Sequence, residues 1–338
     1  MTVDPRRNAM ESFLAASDWK DATVSLLAGD ASNRRYFRTD SDARTTAIVM
    51  DAPPEKGEDV RPFIRIATHL NNLGLSAPQI YDADEARGFL IIEDLGDDLF
   101  ARLLERDPSM EPELYGAATD TLVNLADTEI PRGIESYDAE TMPPLAGLAA
   151  TWYAGDQSLS SPLAAATHQA LKLLPQARKT LVLRDYHAEN LIWLPDRKGA
   201  ARVGLLDFQG ARNGHPAYDL ASLIRDARRD VSQRTKPLMT MRLAHGLGWN
   251  RDEADFAVST QGAQRNLRIL GVFARLSLHF GKSNYIDLIP RVWSNLMEEL
   301  SHPELSTLRD QVTSMLPPPT SDILKDLKAR CGTIPTLA

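Results

Sequence analysis

The sequence predicts an α+β fold in two lobes: a small, mostly antiparallel sheet with one helix, then a mainly helical lobe. Three observations predict it. Short β-like runs crowd the chain up to Glu93. Helical periodicity fills most of the chain beyond Gly96, and only two further β-like runs interrupt it. The chain has 338 residues, enough for two lobes with a sizeable core.

Thr23 to Leu27 and Arg34 to Arg38 are β-like runs separated by the turn-rich Ala28 to Asn33. Thr45 to Met50 is a third, stopped by Asp51-Ala52-Pro53-Pro54 because proline cannot donate to a ladder. A helix runs next from Glu58 to Leu73. Phe63, Ile66, Ala67, Leu70 and Leu73 recur at helical spacing, and Gly74 ends it. Ile80 to Asp82 and Phe89 to Glu93 flank a turn at Glu85 to Gly88. The border between lobes falls near Asp94 to Asp98, giving an N-lobe of 1–95 and a C-lobe of 96–338.

In the C-lobe the periodicity predicts helices at Pro112–Ala126, Leu163–Leu174, Ala217–Arg229, Asp252–Phe280, Ile286–Leu300 and Ser321–Ala329. The two interrupting β-like runs are Thr180–Leu183 and Arg202–Phe208. Each ends in polar residues, a common position for catalytic groups.

Composition excludes several classes. A net charge of −8 offers no electrostatic footprint for nucleic acid or an anionic membrane. Cys331 is the single cysteine, so no intrachain disulfide forms, and a reducing compartment fits. The N-terminal apolar run Phe13 to Ala16 is too short for a signal-peptide core, and no stretch approaches a membrane span. A cytoplasmic protein is expected, with no protein partner predicted. The histidines show no metal spacing, and neither a Walker loop nor a nucleophile elbow is present.

The chemistry concentrates in Leu183-Arg184-Asp185-Tyr186-His187-Ala188-Glu189-Asn190 and in Gly204-Leu205-Leu206-Asp207-Phe208-Gln209. Phosphoryl transfer from ATP needs a carboxylate to orient the acceptor hydroxyl and take its proton, and Asp185 suits that role. Magnesium prefers hard oxygens, which the Asn190 amide and the Asp207 carboxylate supply. The bland alternative is that these residues are turn formers and caps. Each alone is a weak signal. In order, each closing a short apolar run, they outweigh it.

Gly29-Asp30-Ala31-Ser32 joins two strands and can fold over a triphosphate, offering backbone amides. Most such turns are plain hairpins. Leu90 to Gly96 suits an adenine-binding linker through backbone groups around Glu93 to Leu95. Asp219, in Tyr218-Asp219-Leu220, is read as structural.

These residues resemble the aminoglycoside phosphotransferase and choline kinase superfamily, which implies a protein-kinase-like fold. Gly29 to Ser32, Arg34 to Arg38, Val49 to Pro54, Leu205 to Gln209, Tyr218 to Leu220, Gln264 to Leu267 and Gly271 to Arg275 resemble more closely the bacterial anomeric N-acetylmuramate/N-acetylglucosamine 1-kinases of cell-wall recycling. The likeness spans about residues 10 to 310. It implies ATP and Mg2+ as cofactors, Asp185 as base, and Asn190 and Asp207 as metal ligands. It implies an amino-sugar substrate held in the helical lobe, with Arg265, Asn266, Arg275 and His279 as contributors. An aminoglycoside or other small alcohol as acceptor, and an inactive nucleotide-binding regulator, stand as alternatives.

One departure matters. The kinase template carries a phosphate-binding lysine on the third strand, and here that strand ends Ile48-Val49-Met50-Asp51. Arg34, Arg35 or Arg38 can replace the charge. Alternation puts Arg34, Tyr36 and Arg38 on one face and Arg35 on the other. The expected nucleotide-binding set is Gly29, Asp30, Ala31, Ser32, Arg35, Glu93 and Leu95.

Overall fold

Both faces of the N-terminal sheet are covered, which is why its central strands read as unbroken apolar runs. The computed structural model describes residues 5–29, 33–41 and 44–335. The described residues form two units, Met1–Pro108 with Glu189–Ala211, and Ser109–Ala188 with Arg212–Ala338.

The first unit opens with α1 (Pro5–Ala15), followed by β1 (Thr23–Gly29), β2 (Arg35–Ser41) and β3 (Arg44–Asp51). Next come α2 (Arg61–Asn72), β4 (Ile80–Asp84), β5 (Phe89–Glu93) and α3 (Phe100–Arg106). The sheet order is β1-β2-β3-β5-β4, antiparallel throughout. In register, Val49 lies opposite Ile91, Ile48 opposite Ile92, and Met50 opposite Leu90. Ala47, Val49, Phe89 and Ile91 pack against Met10, Phe13 and Leu14 of α1 and against Trp19. Ile48, Met50, Leu90 and Ile92 are buried on the other face. The sequence reading did not find α1, because Met10, Phe13 and Leu14 are its only buried residues. Gly88 turns the chain between β4 and β5 at φ 74°. Its N–H donates to Asp84 O at 2.8 Å, and a side chain there would meet the Ala52 carbonyl oxygen at 2.0 Å.

Residues 189–211 carry a hairpin, Leu191–Trp193 against Val203–Leu205. Leu205 N donates to Ser76 O and Trp193 N to Asp98 O, both at 2.8 Å. Leu99 bridges Ile192. These bonds explain why 189–211 packs with the first unit, whereas chain order groups it with 96–338.

The second unit is helical: α4 (Glu111–Ala126), α5 (Pro143–Ala146), α6 (Ser160–Lys172), α7 (Ala217–Ile224), α8 (Thr235–Leu247), α9 (Arg251–Leu278), α10 (Ile289–Glu299), α11 (Ser306–Met315) and α12 (Ser321–Ala329). A three-stranded sheet joins Ser136–Tyr137, Arg212–Gly214 and Thr180–Val182. The axis is α9, started by a capping box between Asn250 and Glu253. It packs against α7, α8, α10 and the turn Ala149–Ala154.

The helix expected to run to Arg229 stops at Ile224. Arg225 leaves helical geometry, and its guanidinium meets Glu299 at 2.6 Å and Glu298 at 3.2 Å. Asp230 pairs with Arg291 at 2.8 Å instead of ending a helix. The span predicted from Ile286 begins as a 3-10 turn, Ser283–Leu288, and becomes α10 at Ile289, with Pro290 in its first turn.

Candidate active site

The loop Leu183–Asn190 is built on a strained turn. Arg184 has φ 74° and Asp207 φ 55°, the two non-glycine positive values among the described residues. Asp219, in the first turn of α7, accepts the backbone N–H of Leu183 at 2.6 Å and of Arg184 at 2.8 Å. Tyr186 is fully buried, and its hydroxyl donates to Ala118 O at 2.9 Å. Asp185 therefore sits between two anchored residues, itself half-buried.

Burial pushes the Asp219 carboxyl up to about 7 against the two amide bonds, and the nearby Asp185 adds to the rise while Arg265 opposes it. Burial likewise holds the His187 imidazole down at about 4, with Arg228 and Arg265 opposing its protonation and Asp226 and Asp185 favouring it. His187 is thus neutral at pH 7. Asp185, His187, Asp219, Asp226 and Arg265 form one electrostatic neighbourhood in the second unit.

In the first unit, a cavity of about 330 Å³ has apolar lining from Leu27, Ile48, Phe63, Ile92, Leu95, Ile192 and Leu206 and polar lining that includes Asn190, Asp207, Glu189, Arg38, Glu93, Asp94, Asp97 and Arg102. Asn190 and Asp207 lie at the same end of the Leu191–Leu205 hairpin, because Leu206 N donates to Asn190 O at 3.0 Å. Asp207 is exposed and accepts from Gln209 Nε2 at 2.6 Å. An amide oxygen and a carboxylate brought together this way suit a hard divalent cation that keeps other ligands from water and phosphate.

The remaining predicted residues divide. Leu95 lines the cavity. Glu93 also lines it, while its N–H donates to Gln79 O at 2.8 Å and its carboxylate accepts from Arg197 Nη2 at 2.5 Å. Gly29 ends β1. Asp30, Ala31 and Ser32 lie outside the described residues. Arg35 is corrected: it occupies the α1 face of the sheet, beside Phe37, with Nη2 on Asp51 Oδ2 at 2.6 Å. Asp51 is buried and also pairs with Arg6, so Arg35 is committed to a structural cluster.

Arg265 and Asn266 are buried in the middle of α9, where Arg265 Nε and Nη1 and both polar side-chain atoms of Asn266 lack hydrogen-bond partners among the described residues. Arg275 and His279 are not brought to them. They lie about 15 and 21 Å further along the helix, and His279 Nδ1 is 2.9 Å from Ile334 O. Sequence reading missed Gln261, Arg268 and Asp226. Gln261 Oε1 and Asp226 Oδ2 are buried without hydrogen-bond partners among the described residues, and Arg268 feels the charge of Asp185. The available signal was the polar run Gln261 to Arg268 inside a helix otherwise apolar enough to be buried.

The sequence pattern of the phosphotransferase enzyme family matches residues 23–256. The N-acetylmuramate/N-acetylglucosamine kinase of Caulobacter vibrioides is 36% identical, with 91% of this chain and 96% of that protein covered. The Pseudomonas aeruginosa protein of the same name is 29% identical, covering 91% and 94%. A choline/ethanolamine kinase family protein from Mesorhizobium loti superposes with a TM-score of 0.62 at 14% identity, covering 91% of this chain and 99% of that one. At that identity the likeness is one of fold, and the fold is protein-kinase-like α+β. By the family pattern over residues 23–256 and by its relatives, the chain belongs to the phosphotransferase enzyme family.

Proposed function

We propose that this enzyme moves the γ-phosphoryl group of ATP onto the anomeric hydroxyl of N-acetylmuramate, N-acetylglucosamine or both, in peptidoglycan recycling. The reaction class rests chiefly on one observation: Asn190 and Asp207 line the same cavity as the apolar Ile48, Ile92, Leu95, Ile192 and Leu206. That is the combination a purine with a metal-bound triphosphate needs. The sugar comes from the name of the relatives.

Asp185 is the residue assigned to orient the acceptor hydroxyl and accept its proton as the anomeric oxygen–phosphorus bond forms and the bond to ADP breaks. Its anchoring by neighbours supports the role, since a base must be held in place. The Asn190 amide oxygen and the Asp207 carboxylate are assigned to the divalent ion, magnesium, which neutralises charge on the transferring phosphoryl group when bound. Ile48, Ile92, Leu95, Ile192 and Leu206 offer apolar walls for the base, with the Gly29–Ser32 turn assigned to the phosphate side. Arg265 and Asn266, with Gln261 and Asp226, are the groups assigned to sugar hydroxyls. Buried polar atoms without partners among the described residues are suited to a polyhydroxylated ligand. Among the described residues no helix is long and apolar enough to cross a membrane. A cytoplasmic site of action is part of this reading.

The missing third-strand lysine favours a second reading, a nucleotide-binding regulator. Purified protein with ATP and magnesium separates them. The expected result is ATP consumption with the N-acetylated sugars, and the product carries phosphate on C1 by phosphorus NMR. Turnover only with choline or an aminoglycoside would overturn the substrate. ATP binding with no acceptor turned over would favour the regulator.

A further inference from the structure

Between α7 and α8 the chain runs irregularly over residues 225–234. Part of this stretch, the start of α8 and one face of α10 line a cavity of about 510 Å³ in the second unit, a size suited to a small ligand. Its charged lining is Asp226, Arg229, Asp230, Lys236, Arg291 and Glu298.

The formal charges balance, but the pairing is incomplete. Lys236 Nζ lies 2.8 Å from Glu298 Oε2, and Arg291 Nε lies 2.8 Å from Asp230 Oδ1. Those two pairs leave Asp226 and Arg229, neither of which makes an ion pair among the described residues. Asp226 is 2% exposed. Its Oδ1 accepts the N–H of Arg228 at 2.8 Å, whereas its buried Oδ2 has no hydrogen-bond partner among the described residues. Arg229 is half-buried, and its buried Nε also lacks a partner among the described residues. Asn295 Nδ2 fixes the backbone at this point, donating to Arg225 O at 3.2 Å and to Asp226 O at 3.4 Å. Asp226 also belongs to the surroundings of the assigned base, since the His187 imidazole feels both Asp226 and Asp185.

A buried acceptor and a buried donor that do not satisfy each other suit a ligand carrying a donor and an acceptor of its own. Both N-acetylated sugars bring hydroxyl and amide N–H donors. Only N-acetylmuramate adds a carboxylate, on the lactyl arm at its O3, where N-acetylglucosamine has a hydroxyl. We propose that this cavity is the subsite for the acidic arm of the acceptor, with Arg229 binding the carboxylate and Asp226 accepting a hydroxyl or amide N–H beside it. A guanidinium meets a carboxylate with two parallel N–H bonds and stays charged when partly buried. Arg229 then sets the choice between the two sugars, because a site built to bond one group discriminates against the analogue without it. The inference rests on the amino-sugar reading given above.

Steady-state phosphotransfer by the full chain, with each sugar in turn, tests it. Arg229→Gln is expected to raise KM for N-acetylmuramate by about 10- to 100-fold with kcat unchanged. The same variant is expected to keep both constants for N-acetylglucosamine within about twofold. Arg229→Lys, which keeps the charge and loses the fork, is expected to fall between wild type and Arg229→Gln. The ratio of the two sugars within one variant does not depend on how much of it folds. A similar loss for both sugars in Arg229→Gln, or an unchanged ratio, overturns the proposal and leaves the amino-sugar reading standing. So does a wild type that phosphorylates N-acetylglucosamine alone. If wild type phosphorylates neither sugar, that reading falls and the proposal with it.

Discussion

Asp219 accepts the backbone N–H of Arg184 at 2.8 Å and so holds a non-glycine residue at φ 74°. The neighbouring N–H of Leu183 occupies the other carboxylate oxygen. A left-handed arginine is strained by about 1–3 kcal/mol. The two charge-assisted bonds offset that cost and present Asp185 one residue later. Strain and anchor occur together at the residue assigned to the proton.

Asp185→Ala is expected to lower kcat by about 10²–10⁴-fold while leaving the affinity for ATP within about twofold. Asp185 takes part only in the chemical step in this reading, and none of the cavity-lining residues is altered. Steady-state phosphotransfer set beside calorimetric ATP titration checks it. Full activity in the variant would remove Asp185 from the role of base.

Asp207→Ala is expected to cost about 10²–10³-fold in activity and to raise the magnesium concentration needed for half-maximal rate. Asn190→Ala is expected to shift the magnesium requirement in the same direction with a smaller loss, since an amide carries no charge. Rates measured across a magnesium titration decide this. A variant with reduced rate and an unchanged magnesium profile would point to a role outside the metal site.

Asp219 also predicts how stability varies with pH. Its native carboxyl is raised to about 7 by burial, above an ordinary value near 3.8. The native state therefore binds a proton that the unfolded chain releases between those values. Stability associated with this group is complete below the ordinary value and is lost as pH rises towards 7. Asp219→Asn removes the titration. Wild-type melting temperature is expected to fall with rising pH in this window more steeply than that of the variant. Parallel profiles would show that Asp219 does not titrate there.

Gly271→Ala is expected to destabilise the second unit by about 1–3 kcal/mol. Gly271 lets α9 approach the backbone before the Ala149–Ala154 turn, and an added Cβ would lie 2.3 Å from the Leu148 carbonyl carbon and 2.6 Å from Ala149 N. Backbone on one side and a 28-residue helix on the other leave little room to give. Urea denaturation of the variant measures the loss, and wild-type stability would mean that the contact relaxes freely.

Legibility in the sequence depended on how much of the local pattern each element carries. Strand β5 was legible because Phe89, Leu90, Ile91 and Ile92 are all buried. The same holds for α2, whose Phe63, Ile66, Ala67 and Leu70 make one apolar face. Helix α8 was not found, because Leu238 and Met241 are exposed while Met239 and Leu243 are buried, which blurs the stripe. Helix α7 was drawn too long, because ion pairs from Arg225 to Glu298 and Glu299, over seventy residues distant in sequence, outweigh the helical preference of Arg225 to Arg229.

The sequence by itself determined the order and chemical type of Asp185, Asn190, Asp207 and Asp219, since residue identity and spacing along the chain are local properties. It also set the parity of β2, because alternation in a strand follows from backbone geometry. Only the tertiary structure decided which parity faces the cavity. Helix α1 covers the face of Arg35 and Phe37, and Asp51 neutralises Arg35 there. Arg34, Tyr36 and Arg38 are left to the opposite face, and Glu58 and Asp94 then divide the two arginines between the turn and the linker. Those choices depend on burial and charge contributed by distant segments, which no window of the sequence contains.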